Sequence, residues 1–128
     1  MKKKIVEEWI KRADHDWAAA KLLYAQGEYF DTVLFHIHQA IEKYLKAYLQ
    51  HEGWNLKKTH DIEMLLTETF QYNRIFEKYL DFGRKITGYY IETRYPPGPL
   101  SQYCRTEVKD MLRIAHEIIT LITESILT

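Results

Sequence analysis

The stretch that most restricts the fold is residues 31–53, DTVLFHIHQAIEKYLKAYLQHEG. Val33, Ile37, Ala40, Ile41, Tyr44, Leu45, Tyr48 and Leu49 recur at helical intervals, so a 3.6-residue helix gathers them on one face. That face must be buried, which makes this segment the central core helix of an all-α domain. Its other side carries Gln39, Glu42, Lys43 and Lys46, whose three-, four- and seven-residue offsets align them in one polar strip.

The flanking segments keep the helical period and are separated by breakers. Residues 3–26 predict a first helix with Ile5, Trp9, Ile10, Ala13, Trp17, Ala20, Leu23 and Tyr24 inward, stopped by Gly27. Asp31 is the natural N-cap of the central helix, and so short a link predicts an antiparallel hairpin. Gly53 ends the central helix and residues 54–58 form a turn. Thr59 or Asp61 then caps a third helix to about Phe70, with Ile62, Leu65, Leu66 and Thr69 inward. Asn73 opens a fourth, carrying Ile75, Phe76, Tyr79, Leu80, Phe82, Ile86, Tyr89 and Tyr90, in which Gly83 and Gly88 mark places of close approach by a helix or ligand. Pro96, Pro97 and Pro99 make residues 94–99 irregular. Ser101 or Thr106 starts a last helix to about Leu127, with Val108, Met111, Leu112, Ala115, Ile118, Ile119, Ile122 and Ile126 inward. The expected architecture is an up-and-down antiparallel bundle of about five helices forming one domain over residues 1–128.

A chain of 128 residues can bury roughly two-thirds of its unfolded surface, enough for a core without staples. Its 18 lysines and arginines balance 18 aspartates and glutamates, so any polyanion site must be a local patch. The single cysteine, Cys104, excludes an intrachain disulfide and fits a reducing compartment. No stretch approaches the ~20 apolar residues of a membrane span, and the N-terminus reads Lys, Lys, Lys rather than an apolar leader. A cytoplasmic protein without membrane contact is expected. Ten tyrosines suit half-buried positions at a core rim, a cleft or a subunit interface.

No metal and no cofactor are expected. Asp14, His15 and Asp16 splay by about 100° per residue and read as a solvated face. His36 and His38 lie on opposite sides of their helix, and His38 with Glu42 offers only two ligands. His60, crowded with Lys57, Lys58 and Thr59 at a helix start, is either a capping residue or an anion contact.

Three stretches resemble the HEPN family of small helical domains, which are related to the substrate-binding helical domain of kanamycin-type nucleotidyltransferases. They are Gln39-Ala-Ile-Glu-Lys-Tyr-Leu-Lys-Ala, Lys58-Thr-His-Asp-Ile and Tyr90-Ile-Glu-Thr-Arg-Tyr-Pro. The resemblance implies an intracellular domain that forms a homodimer and accompanies a minimal nucleotidyltransferase protein in a toxin-antitoxin-like pair. It also implies, for many members, metal-independent ribonuclease activity from an arginine followed by four to six residues and a histidine. After Arg94 those positions hold Pro99, Leu100 and Ser101, and Arg12 with His15 and Arg113 with His116 are spaced too closely. Without a general base in register, the expectation is a non-catalytic subunit that binds a nucleotide, an RNA or another phosphorylated ligand.

The expected ligand-binding residues are Gln39, Glu42, Lys43, Lys46, His60, Tyr90, Arg94 and Tyr95. Arginine grips phosphate through paired donors, lysine adds point charge, tyrosine offers a stacking face, and glutamate or glutamine reads a base or sugar edge. Three alternatives stand beside this reading. Glu42, Lys46 and Arg94 could form an interhelical ion-pair network; Arg94 could serve a ribonuclease with His60 as substitute base; or the protein could be a purely structural partner.

Overall fold

The computed structural model describes residues 2–96 and 103–127, residue 2 by its backbone alone. Five α-helices follow in order: α1 (Lys2–Gln26), α2 (Phe30–His51), α3 (Ile62–Tyr72), α4 (Leu80–Arg94) and α5 (Arg105–Leu127). A 3-10 segment, Arg74–Tyr79, leads into α4, and no strand occurs among the described residues. The fold is all-α, and no described helix is long and apolar enough to cross a membrane.

α1 and α2 form the expected hairpin. Trp9 lies by Lys46, Asp14 by Tyr44, Asp16 by Lys43 and Tyr24 by Phe30, so partners descend α2 as α1 is climbed. The reversal uses two left-handed residues, Gly27 at φ 73° and Tyr29 at φ 55°. Tyr29 thereby takes the N-cap position without a side-chain bond, and Asp31 is not the cap. It falls in the first turn, where its carboxylate still opposes the positive helix end. Asp14 and Asp16 are likewise not a merely solvated face. Asp14 accepts from the Tyr44 hydroxyl, while Asp16 meets both Lys43 and His36, the latter at 3.0 Å. Burial, reinforced by the Asp14 carboxylate, raises the Tyr44 hydroxyl pKa well above the usual phenol range.

α2 is the hub, contacting α1, α3, α4 and α5. All eight residues of its predicted apolar face are buried, and with Leu66, Phe76, Ile86 and Ile118 they belong to one continuous core. Its C-terminus closes on Gly53 at φ 95°, with the Trp54 N–H donating to the Leu49 carbonyl at 2.8 Å. α3 buries the four residues expected, and Asp61 caps it by accepting from the Met64 N–H at 3.2 Å. Asn73 both ends α3 and starts the 3-10 segment, its side chain accepting from the Ile75 N–H. The fourth predicted helix is thus two elements. The tighter 3-10 turn leaves Ile75 43% exposed instead of inward.

Gly83 is a place of close approach, as expected. A Cβ there would stand 2.8 Å from Leu66 Cδ1 and 3.2 Å from the Glu63 backbone. Gly88 is not: a Cβ there would meet nothing within 4 Å. Gly83→Ala is therefore expected to destabilise by about 1–3 kcal/mol through overpacking. Gly88→Ala should instead stabilise by up to about 1 kcal/mol through helix propensity. Denaturant midpoints of the two variants check this; equal shifts would contradict it.

The seam of α5 with the 3-10 segment and α4 relies on tyrosine hydroxyls. Tyr79 donates to Glu117 at 3.0 Å and Tyr89 to Glu107 at 2.9 Å, and burial with these carboxylates pushes both hydroxyls up to about 12. α5 begins at Arg105, with the Cys104 N–H donating to Glu107. Thr106 lies inside the first turn, and Ser101, like Pro97 and Pro99, is outside the described residues.

Candidate functional site

The helical period of α2 sends Phe35, His38, Gln39, Glu42 and Lys46 to one flank. Facing that flank are the end of α4, with Tyr90 and Arg94 one turn apart, and the irregular segment before α3, which carries His60. Packing of α4 and this segment on α2 assembles the site.

His38 is the least accessible member, fully buried and stacked on Tyr90 with centroids 4.0 Å apart and planes 17° apart. Its Nε2 lies 2.7 Å from the His60 carbonyl oxygen. A carbonyl only accepts, so Nε2 carries the proton and Nδ1 faces the Gln39 amide 3.3 Å away. Burial holds the imidazole below the ordinary histidine range, although the Glu42 carboxylate pulls the other way.

Glu42 and Lys46 are charged yet each is only 5% exposed. Glu42 Oε2 accepts from Lys46 Nζ at 2.8 Å, and Glu42 Oε1 lies 2.9 Å from His60 Nδ1. The Lys46 ammonium also sits over the Trp9 ring at 5.6 Å. Residue 60 is thus held twice from one turn of α2, through its carbonyl by His38 and through its ring by Glu42. Its imidazole remains 63% exposed, with Nδ1 donating to the carboxylate and Nε2 making no hydrogen bond among the described residues.

Tyr90, 8% exposed, also touches Phe35 at 5.9 Å and His60 at 5.6 Å. Over Phe35 and Tyr90 lies the guanidinium of Arg94, 5.1 and 5.3 Å from their centroids. Arg94 itself is exposed and forms no ion pair among the described residues. The site therefore has a satisfied, buried floor and a mouth made of Arg94 and the His60 ring. No cluster of three or more metal-ligating side chains occurs among the described residues.

Of the eight residues the sequence nominates, Gln39, Glu42, Lys46, His60, Tyr90 and Arg94 come together. Lys43 does not: it turns to α1 and binds Asp16. Tyr95 follows the end of α4 and stands 59% exposed, outside the stack. His60 is not the helix cap, a role filled by Asp61. Glu42 and Lys46 pair within α2 without Arg94, so they do not form an interhelical network with it. Tyr90 offers no free stacking face, since His38, Phe35 and Arg94 occupy its surroundings. Missed by sequence reasoning were Phe35, Trp9 and above all His38, whose spacing to Glu42 read only as an incomplete metal pair.

The class this defines is an all-helical domain built on one core helix, with a buried His–Glu–Lys floor beneath an exposed arginine and histidine. A family model described as HEPN domain matches residues 6–126, and the chain belongs to that family. Among curated proteins it is similar to the candidate toxin MJ1304 of Methanocaldococcus jannaschii, 27% identical over 94% of this chain and 88% of that protein. Among solved structures it is similar to TT1696 from Thermus thermophilus, at TM-score 0.80 and 27% identity over 93% of this chain and 96% of that one. ST0689, an archaeal HEPN homologue, matches at TM-score 0.77 and 27% identity, over 94% and 97% of the two chains.

Proposed function

We propose that this chain is a non-catalytic HEPN subunit of the cytoplasm that binds a nucleotide or another phosphorylated ligand through Arg94. In this reading it works as a homodimer beside a minimal nucleotidyltransferase in a toxin-antitoxin-like pair, and needs no cofactor. The observation that carries the ligand reading is the state of the Arg94 guanidinium. Arg12, Arg74, Arg84 and Arg113 each face a carboxylate. Arg94, like Arg105 over Tyr24 and Phe30, lies on two aromatic rings instead; what sets Arg94 apart is that its ring Tyr90 also carries the exposed His60, with the guanidinium N–H donors left to solvent. Because the ring of Tyr90 is already covered, the site is suited to the phosphoryl group rather than the base. The likeness to MJ1304 supports the toxin-related setting, and the motif resemblance supports the nucleotidyltransferase partner.

The test is thermal unfolding with the four nucleoside triphosphates, pyrophosphate and a short RNA. A ligand at 100 times its dissociation constant adds about 2.7 kcal/mol. The shift is expected to grow with phosphate count, to ignore the base and to vanish in Arg94→Ala. The variant alone should unfold within about 0.5 kcal/mol of the parent, as an exposed substitution does. No shift with any phosphate compound would defeat the reading.

The Glu42 carboxylate on His60 Nδ1 favours a second reading. A carboxylate-oriented, largely exposed imidazole, against the same tyrosine as an arginine, is the arrangement of a general base beside a phosphate-binding group. Cleavage of RNA by the purified protein, lost in His60→Ala, would establish a ribonuclease and displace the non-catalytic reading.

A further inference from the structure

α5 divides its charges between two sides. Glu107 turns to Tyr89 on α4, Glu117 turns to Tyr79 at the end of the 3-10 segment, and Asp110 is held by Arg113. The side facing α1 borders a shallow groove of about 360 Å³ lined by Trp17, Lys21, Tyr24, Lys109, Leu112 and His116, with Arg113 at its edge. This groove shares no residue with the Arg94 site.

Its floor is apolar and its rims are cationic. Trp17 and Tyr24 on α1, with Leu112 on α5, supply the floor. Lys21 stands on the α1 rim and Lys109 on the α5 rim; both are exposed, and neither has a carboxylate partner among the described residues. Trp17 and Tyr24 are two helical turns apart, about 10 Å, which is the spacing of apolar residues at i and i+7 on another helix.

We propose that the groove between α1 and α5 docks an acidic amphipathic helix of a protein partner, one whose apolar stripe is flanked on both sides by glutamate or aspartate. Single-stranded nucleic acid fits less well, because it needs open aromatic faces. Here those faces are taken by the chain's own side chains: Lys21 lies over Trp17 at 5.7 Å, Arg105 over Tyr24 at 5.1 Å, and His116 stacks on Trp17 at 6.5 Å. What remains open is the apolar floor between Lys21 on one rim and Lys109 on the other, complementary to an acidic helix and not to a continuous phosphate backbone.

The test uses the full chain and a labelled synthetic peptide of about fifteen residues, long enough to form a helix, with leucines at i, i+3, i+4 and i+7 flanked by glutamates. The reference peptide has lysine at every glutamate position, and a uridine-rich RNA is the competitor. Saturable binding of the acidic peptide is expected, weakened by added salt and at least about tenfold by the double variant Lys21→Glu, Lys109→Glu. The lysine peptide and the RNA should neither bind there nor compete. Both lysines are exposed and have no carboxylate partner among the described residues, so an unchanged unfolding midpoint separates lost docking from lost folding. Arg94→Ala should leave peptide binding intact, which keeps this result separate from the ligand reading. The proposal is overturned by no saturable binding of the acidic peptide, by equal binding of the two peptides, or by displacement with RNA. It is also overturned if a dimer in solution dissociates on charge reversal, since a second copy would then own the groove.

Discussion

Glu42→Ala is expected to lower the unfolding free energy by about 3–5 kcal/mol, a large share of what holds a domain of this size together. The reason is the charge left behind. Lys46 has a side chain only 7% exposed, and Glu42 is the carboxylate that binds its ammonium, at 2.8 Å. Without Glu42 the ammonium keeps the Trp9 face at 5.6 Å, which cannot replace an ion pair. His60 loses one of its two anchors in the same substitution, keeping the carbonyl bond to His38, so amide exchange around residues 59–61 should quicken. The double variant Glu42→Leu, Lys46→Met removes both charges and keeps the volume, and should cost far less than Glu42→Ala alone. Denaturant unfolding of Glu42→Leu, Lys46→Met and the double closes the cycle. A single-variant loss under about 1 kcal/mol would mean the pair is effectively solvated, as surface pairs are.

This pair also shows how far the sequence could be read. The apolar face of α2 was legible because burial on a helix imposes a period, and a period survives without knowledge of neighbours. The polar strip was legible as a strip but not as a site. Glu42 and Lys43 are adjacent in sequence, yet the helix turns about 100° between them, so one meets His60 and the other meets Asp16 on α1. Which neighbour covers which side is a tertiary fact. His38 makes the same point, since its role depends on the carbonyl of residue 60, across the whole α2–α3 connection. The turn at Tyr29 escaped for a local reason. A non-glycine residue in the left-handed region costs roughly 1–2 kcal/mol, so the pattern rules favour Asp31 as the cap. Ile75 misled because the apolar period was read through a 3-10 segment, where three residues rather than 3.6 complete a turn.

Tyr90→Ala is expected to cost about 3–5 kcal/mol, the range for deleting a large buried ring, and to abolish phosphate binding in the same step. The ring is 8% exposed and joins four other members of the site: His38 at 4.0 Å, Arg94 at 5.3 Å, His60 at 5.6 Å and Phe35 at 5.9 Å. Deleting it uncovers the His38 imidazole and takes away one of the two rings that fix the guanidinium. Tyr90→Phe keeps the ring and should stay within about 1 kcal/mol of the parent, with ligand binding retained. The pair of variants therefore distinguishes a ring that positions Arg94 from a hydroxyl that touches ligand. Full binding in Tyr90→Ala, measured well below its unfolding midpoint, would show that Arg94 needs no aromatic support. Loss of binding in Tyr90→Phe at unchanged stability would place the hydroxyl in direct contact with the ligand. Arg94→Ala completes the logic from the other side: it should remove the ligand while leaving the fold, because an exposed guanidinium on aromatic faces adds little stability of its own.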